Sequence, residues 1–187
     1  MNTEDFKPIP DLSWPEIFEK QKQIKFLYEP ESLEMFRNFD IDTDQEIFKK
    51  YCWRITEELM EALEDQNNEN HFREELIDGM NFLIELYLLY GWDFEEVNIR
   101  FKFEFIDPSQ QILKIIYQLG ITANLLKNRQ WRKSQYLVDL YIFEPRFQKI
   151  WVEYLKLFFV VGVKEPGIRS LWSLKYQVNL FRINTNY

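Results

Sequence analysis

The stretch HFREELIDGMNFLIELYLLYG, His71–Gly91, decides the architecture. It is apolar around most of a helical wheel except for one stripe, Glu75, Asp78, Asn81 and Glu85, which steps of three and four residues place on a single face. A run this apolar belongs inside a protein, and carboxylates facing a buried seam are costly without a cation or hydrogen-bond donors beside them. The nearest upstream segment, YCWRITEELMEALED, Tyr51–Asp65, brings more acid: Cys52, Ile55, Leu59, Ala62 and Leu63 form its apolar face, Glu58 borders it, and Glu61 follows one turn on. Two helices thus offer Glu58, Glu61, Glu75 and Asp78 to one space. Four bare anions cannot share a buried pocket, so either protons are shared or a hard cation with oxygen ligands is bound, and Mg²⁺ is the usual one. The chemistry implied is Mg²⁺-dependent work on phosphates.

Working outward, helical periodicity governs the rest of the chain, and no run alternates as strands do. The pattern predicts helices over Trp14–Tyr28, Glu31–Phe39, Thr43–Asp65, His71–Tyr90, Phe94–Phe105, Pro108–Asn128, Ser134–Phe143, Pro145–Val161 and Pro166–Leu180. Breaks fall at Glu29-Pro30, Gln66–Asn70, Gly91-Trp92, Asp107-Pro108, Glu144-Pro145 and Glu165-Pro166, each carrying Pro, Gly or Asn signals. The expectation is an all-α bundle forming a single domain over residues 1–187. With 46% apolar residues, including six Trp, ten Tyr and seventeen Phe, the chain can bury one sizeable, aromatic core.

A weak internal echo sets ELIDGMNFLIELYLLYG (75–91) against RFQKIWVEYLKLFFVVG (146–162), with Arg146 opposite Glu75 and Lys149 opposite Asp78. Two readings stand: a degenerate repeat that exchanged acids for bases, so that one half holds metal and the other faces phosphate, or two amphipathic helices that align because both end in Gly.

The net charge of −8 argues against broad nucleic-acid or anionic-membrane binding, which need a basic footprint. A small anion escorted by metal is compatible with it. The single Cys52 excludes an internal disulfide, and MNTEDFKPIP has neither the basic nor the apolar region of a secretory signal. The longest apolar run, Leu157–Val163, is too short to span a bilayer. The expectation is a cytoplasmic protein. His71, the only histidine, rules out a His-rich metal site and sits where an incidental helix-start residue would. With five glycines and no Walker sequence, a glycine-rich phosphate cradle is absent, so side chains and metal must hold any phosphate. Two basic groups are available: Lys175, Asn179 and Arg182, one turn apart near the C-terminus with Tyr187 beyond, and Lys127, Arg129, Trp131, Arg132 and Lys133 around an aromatic. On spacing alone, either group also reads as a basic helix end favoured by the macrodipole.

These residues together resemble the all-α NTP pyrophosphohydrolases of the MazG-like superfamily, and within it the dimeric dUTPases and phage dCTPase-dUTPases. Glu58-Leu-Met-Glu61 resembles the family's ExxE, and Glu75-Leu-Ile-Asp78, with Phe82 and Gly91, its ExxD helix. Lys175, Asn179, Phe181, Arg182 and Tyr187 reproduce the K-x3-N-x-FR-x4-Y ending, the most specific of the matches. Gln21 is similar to the glutamine that reads the pyrimidine. The resemblance implies that Glu58, Glu61, Glu75 and Asp78 bind Mg²⁺, that Glu61 positions or deprotonates the attacking water, that the tail contacts the triphosphate, and that the protein is a homodimer. Three departures bear on base preference: Asn81 replaces a histidine, Lys25 replaces an asparagine, and Arg182-Ile183 replaces Arg-Gln. The aromatic and lysine cluster between the acid motifs is also absent, with Arg129, Trp131 and Arg132 as candidate replacements. Gln21 and Asn81 carry amides that can turn to suit uracil or cytosine. The expected substrate is dUTP, with dCTP or mixed dCTP/dUTP activity as the alternative. The rival from another class is a non-catalytic helical interaction protein.

Overall fold

The computed structural model describes residues 3–28, 42–92, 106–127 and 138–185. Helix α1 (Trp14–Tyr28) starts at a capping box: the Ser13 backbone N–H donates to Glu16 Oε2 at 2.8 Å, and the Glu16 N–H reaches back to Ser13 Oγ at 3.5 Å. Helix α2 (Asp42–Glu64) and helix α3 (Glu69–Tyr90) follow, joined by a four-residue connection that folds them into a hairpin. The Asn68 side chain caps α3 by accepting from the His71 N–H, and Gly91 stops it at φ 79°, a left-handed conformation that suits glycine. Helix α4 (Pro108–Ala123) has Pro108 in its first turn behind the Asp107 cap. Helices α5 (Leu140–Val160) and α6 (Glu165–Thr185) complete the set, preceded in the chain by a short 3-10 turn at Thr3–Asp5. No strand occurs among the described residues, so the all-α expectation holds.

Three predicted boundaries move. Ser134–Phe143 and Pro145–Val161 do not form two helices: the described part is one helix, α5, with Pro145 inside it. Proline there removes only one backbone bond, to the carbonyl of Tyr141, and Tyr141 is 94% exposed, so water reaches that turn. The helix predicted to end at Leu180 runs on to Thr185, because FRINT contains no breaker. The helix predicted over Pro108–Asn128 stops at Ala123. The predicted helices Glu31–Phe39 and Phe94–Phe105 lie outside the described residues, as do residues 134–137.

Packing follows the apolar faces. Helix α2 lies on α3, α4 lies on α5, and α1 and α6 pack on α3 and on each other. The core includes Ile17, Phe48, Ile55, Leu59, Leu76, Met80, Ile84, Phe143, Phe147, Phe158 and Trp172. Burying each such side chain contributes about 1.5–3 kcal/mol, more than helix propensity can, so tertiary packing holds the helices. The central helices α3 and α5 are tied by two tyrosines: Tyr87 donates to the Phe147 carbonyl at 3.1 Å and Tyr154 to the Leu76 carbonyl at 2.9 Å. They also end alike. Gly162 has φ 80°, and its N–H and that of Val163 bond back to Phe159 and Phe158 as those of Gly91 and Trp92 bond to Leu88 and Tyr87. The sequence echo therefore extends to matching helix stops.

Candidate active site

The α2–α3 hairpin places two acid motifs side by side. One carboxylate oxygen from each of Glu58, Glu75 and Asp78 lies within 4.8 Å of the others. Close approach at this level depends on Gly79: a Cβ there would stand 2.3 Å from the Tyr154 hydroxyl and 3.3 Å from the Glu58 Cβ. Tyr154 in turn is held by its bond to Leu76, so glycine lets α2, α3 and α5 converge beneath the acids.

Confinement changes the acids. Burial pushes Glu58 up to about 8, assisted by the charges of Asp78, Glu61 and Glu75. Glu75 is raised by burial and by Asp78, and it accepts a hydrogen bond from Glu58, so the pair shares one proton. Burial also raises Asp78, although Lys175 Nζ lies 2.6 Å from its Oδ2 and pulls the other way. Three hard oxygen donors that repel one another as anions suit a small divalent cation. Ligands of Mg²⁺ sit roughly 3–4 Å from one another, a spacing that needs only a slight closing of this trio. Glu61 is exposed, one turn beyond Glu58, and is not one of the clustered three. His71 proves to be a neighbour of the site: its Nδ1 is 2.7 Å from Asp65 and 3.5 Å from Glu75.

A pH dependence follows. Folded-state values raised above the ordinary carboxylate value mean that the folded protein holds more protons than the unfolded one between about pH 4.5 and about 8. The acids therefore cost no stability below that window, and their full penalty is present above it. The metal-free protein should melt at a lower temperature at pH 8 than at pH 5.5, and Mg²⁺ should narrow the difference by neutralising the trio. Thermal melts at both pH values, with chelator and with Mg²⁺, check this.

Beside the acids opens a cleft of about 420 Å³, within the range of small-molecule sites. Glu58 and Asp78 line one part of it, and Gln21, Asn81 and Asn179 line others, so five of the residues singled out in the sequence meet in one space. Lys175 adjoins it through Asp78. Arg182 is exposed one turn past Asn179, yet near enough for its charge to favour ionised Asp78. Arg129, Trp131 and Tyr187 lie outside the described residues. Arg146 and Lys149 are not among the residues lining the cleft.

Four lining residues carry roles that the sequence reading missed: Lys25, Tyr51, Arg54 and Glu85. Gln21 Nε2 donates to Glu85 Oε1 at 2.9 Å, and Tyr51 donates to Glu85 Oε2 at 3.0 Å. Lys25 Nζ lies 2.5 Å from the Tyr51 hydroxyl and 3.3 Å from Glu85 Oε2. Burial, with the Glu85 charge, pushes the Tyr51 phenol up to about 12, so it stays a donor. Arg54 stacks its guanidinium 5.1 Å from the centre of the Phe82 ring. Asn81 Oδ1 accepts from Trp172 Nε1 at 2.8 Å. The expected freedom of Gln21 and Asn81 to turn is thereby corrected, since each amide is pinned by a partner. The signals were present: Glu85 belongs to the polar stripe and Lys25 is one turn from Gln21.

No curated protein and no solved structure matches the chain. A family model described as dUTPase does, over residues 14–187. The match runs from the first residue of α1 through both acid motifs to the last residue of the tail. With an all-helical architecture, and with Glu58 and Asp78 of the acid trio lining a cleft of small-molecule size, the chain belongs to the dUTPase family.

Proposed function

We propose that this protein hydrolyses a pyrimidine deoxynucleoside triphosphate, dUTP first and dCTP second, to the monophosphate and pyrophosphate, with Mg²⁺ bound by Glu58, Glu75 and Asp78. Family membership supports nucleotide hydrolysis of the dUTPase type. The observation that supports the finer reading is that Glu58 and Asp78 of the acid trio line one cleft together with Gln21 and Asn81, so groups suited to metal and phosphate and amides suited to a base share one space. Bound Mg²⁺ would supply Lewis acidity and charge neutralisation at the reacting phosphate. Glu61, exposed beside the trio, takes the proton of the attacking water. Lys175 and Arg182 face the triphosphate, and Asn179 and Tyr187 add hydrogen bonds. Arg129 and Trp131 complete the nucleotide-binding set. A homodimer fits the exposed Trp53 and Met60, two turns apart on α2. No helix among the described residues is long and apolar enough to cross a membrane.

Release of pyrophosphate from dUTP, dCTP, dTTP, dATP and dGTP, side by side with Mg²⁺ and with chelator, tests the proposal. dUTP should give dUMP and pyrophosphate, only with metal. Orthophosphate as the first product, or a preference for dATP or dGTP, would sink it. No turnover of any member, with a melting temperature indifferent to Mg²⁺, would favour the helical interaction protein.

A further inference from the structure

The polar group around Glu85 is unusual in being buried and lining the cleft at once. Gln21 is 3% exposed and Lys25 4%. An ionised carboxylate only accepts hydrogen bonds, so Gln21 must turn its amide nitrogen toward Glu85, as the 2.9 Å bond shows. Turning the amide over would set Gln21 Oε1 against Glu85 Oε1, two acceptors with no proton between them, in a setting where unmade hydrogen bonds are costly. The other Glu85 oxygen is held by the Tyr51 hydroxyl at 3.0 Å and by Lys25 Nζ at 3.3 Å. The consequence for Gln21 is a single orientation in which the carbonyl oxygen is the acceptor left to a ligand. Asn81 is fixed in the opposite sense: its Oδ1 is taken by Trp172, so its amide nitrogen is left to donate.

We propose that Glu85, held by Lys25 and Tyr51, is a positioning residue that aims the Gln21 carbonyl into the cleft, so that the site selects a base with an N–H at the centre of its pairing edge, uracil, over cytosine. This rests on the pyrimidine-triphosphate reading above. The N3–H of uracil donates to Gln21 Oε1, and an adjacent uracil carbonyl accepts from the Asn81 amide. Cytosine in the same placement turns an unprotonated N3 toward the Gln21 oxygen, and a site built for a hydrogen bond rejects a ligand that leaves its polar groups unpaired.

The test compares wild type, Glu85→Gln and Tyr51→Phe with dUTP, dCTP and 3-methyl-dUTP as substrates. A glutamine at position 85 can donate as well as accept, which frees Gln21 to turn. We expect the dUTP-over-dCTP ratio of kcat/KM to fall about tenfold in Glu85→Gln and less in Tyr51→Phe, with the loss mainly in KM. Lys25→Met/Glu85→Gln removes both members of the ion pair together and serves if the single variant does not fold. Wild type should reject 3-methyl-dUTP, which lacks the N3 proton, whatever the variants do. Equal use of dUTP and 3-methyl-dUTP by wild type, or an unchanged base ratio in a folded Glu85→Gln protein, overturns the inference while leaving the hydrolase reading in place. A wild type that turns over neither dUTP nor dCTP removes both.

Discussion

Asp78→Asn should lower kcat/KM for dUTP by about a thousandfold or more while raising the melting temperature of the metal-free protein. The first effect follows from losing one of three hard oxygen donors in a cluster whose atoms lie within 4.8 Å. An amide oxygen carries no charge to hold Mg²⁺ near a triphosphate. The second effect follows from the upward shift of Asp78: its charged form is less favourable in the folded protein than in the unfolded one, despite the Lys175 ammonium 2.6 Å away. A neutral isostere escapes that cost and relieves Glu58 and Glu75 as well. Steady-state rates, with melts in chelator at pH 8, decide both halves. Full activity would remove Asp78 from the site. A lower melting temperature would show that the lost pair with Lys175 outweighs the repulsion.

Lys175→Met should reduce kcat/KM by about a hundredfold, because an ammonium beside the acids is placed to neutralise phosphate charge that no glycine-rich loop is present to bind. Methionine keeps most of the apolar stem, and Lys175 is only 12% exposed, so packing is preserved while charge is lost. Point substitution is a cleaner test than removing the tail. Deletion after Leu174 would take away buried Val178 and the Tyr176 ring stacked 5.2 Å from Trp172, the residue that orients Asn81. A Lys175→Met protein with wild-type rates would reduce the tail to packing. A hundredfold loss that returns with Lys175→Arg would assign the effect to charge.

Much of this was legible because local rules and tertiary structure agree. Ser13 and Glu16 announce the start of α1, and Gly91 announces the end of α3. The acid motifs could be read from spacing, since i, i+3 residues share a helix face whatever the helix packs against. What could not be read is which way pinned side chains turn. Nothing local sets Tyr51 apart from the other tyrosines, and its role needs Lys25 and Glu85, 26 and 34 residues away in sequence, at the same place. Pro145 misled for the opposite reason. Proline usually ends a helix, but here the carbonyl it leaves unbonded belongs to an outer turn that water reaches.

Gly79 sets a limit of another kind. With no side chain at that position, the separation of α2 and α3 under the trio is a contact between main chain and the first atoms of side chains, which cannot change rotamer to adapt. A side chain at position 79 could be admitted only by pushing whole helices apart against the Tyr154 hydroxyl and the core behind it. The spacing of the two acid-bearing helices is thus written into main-chain geometry, at a residue that carries no acid itself.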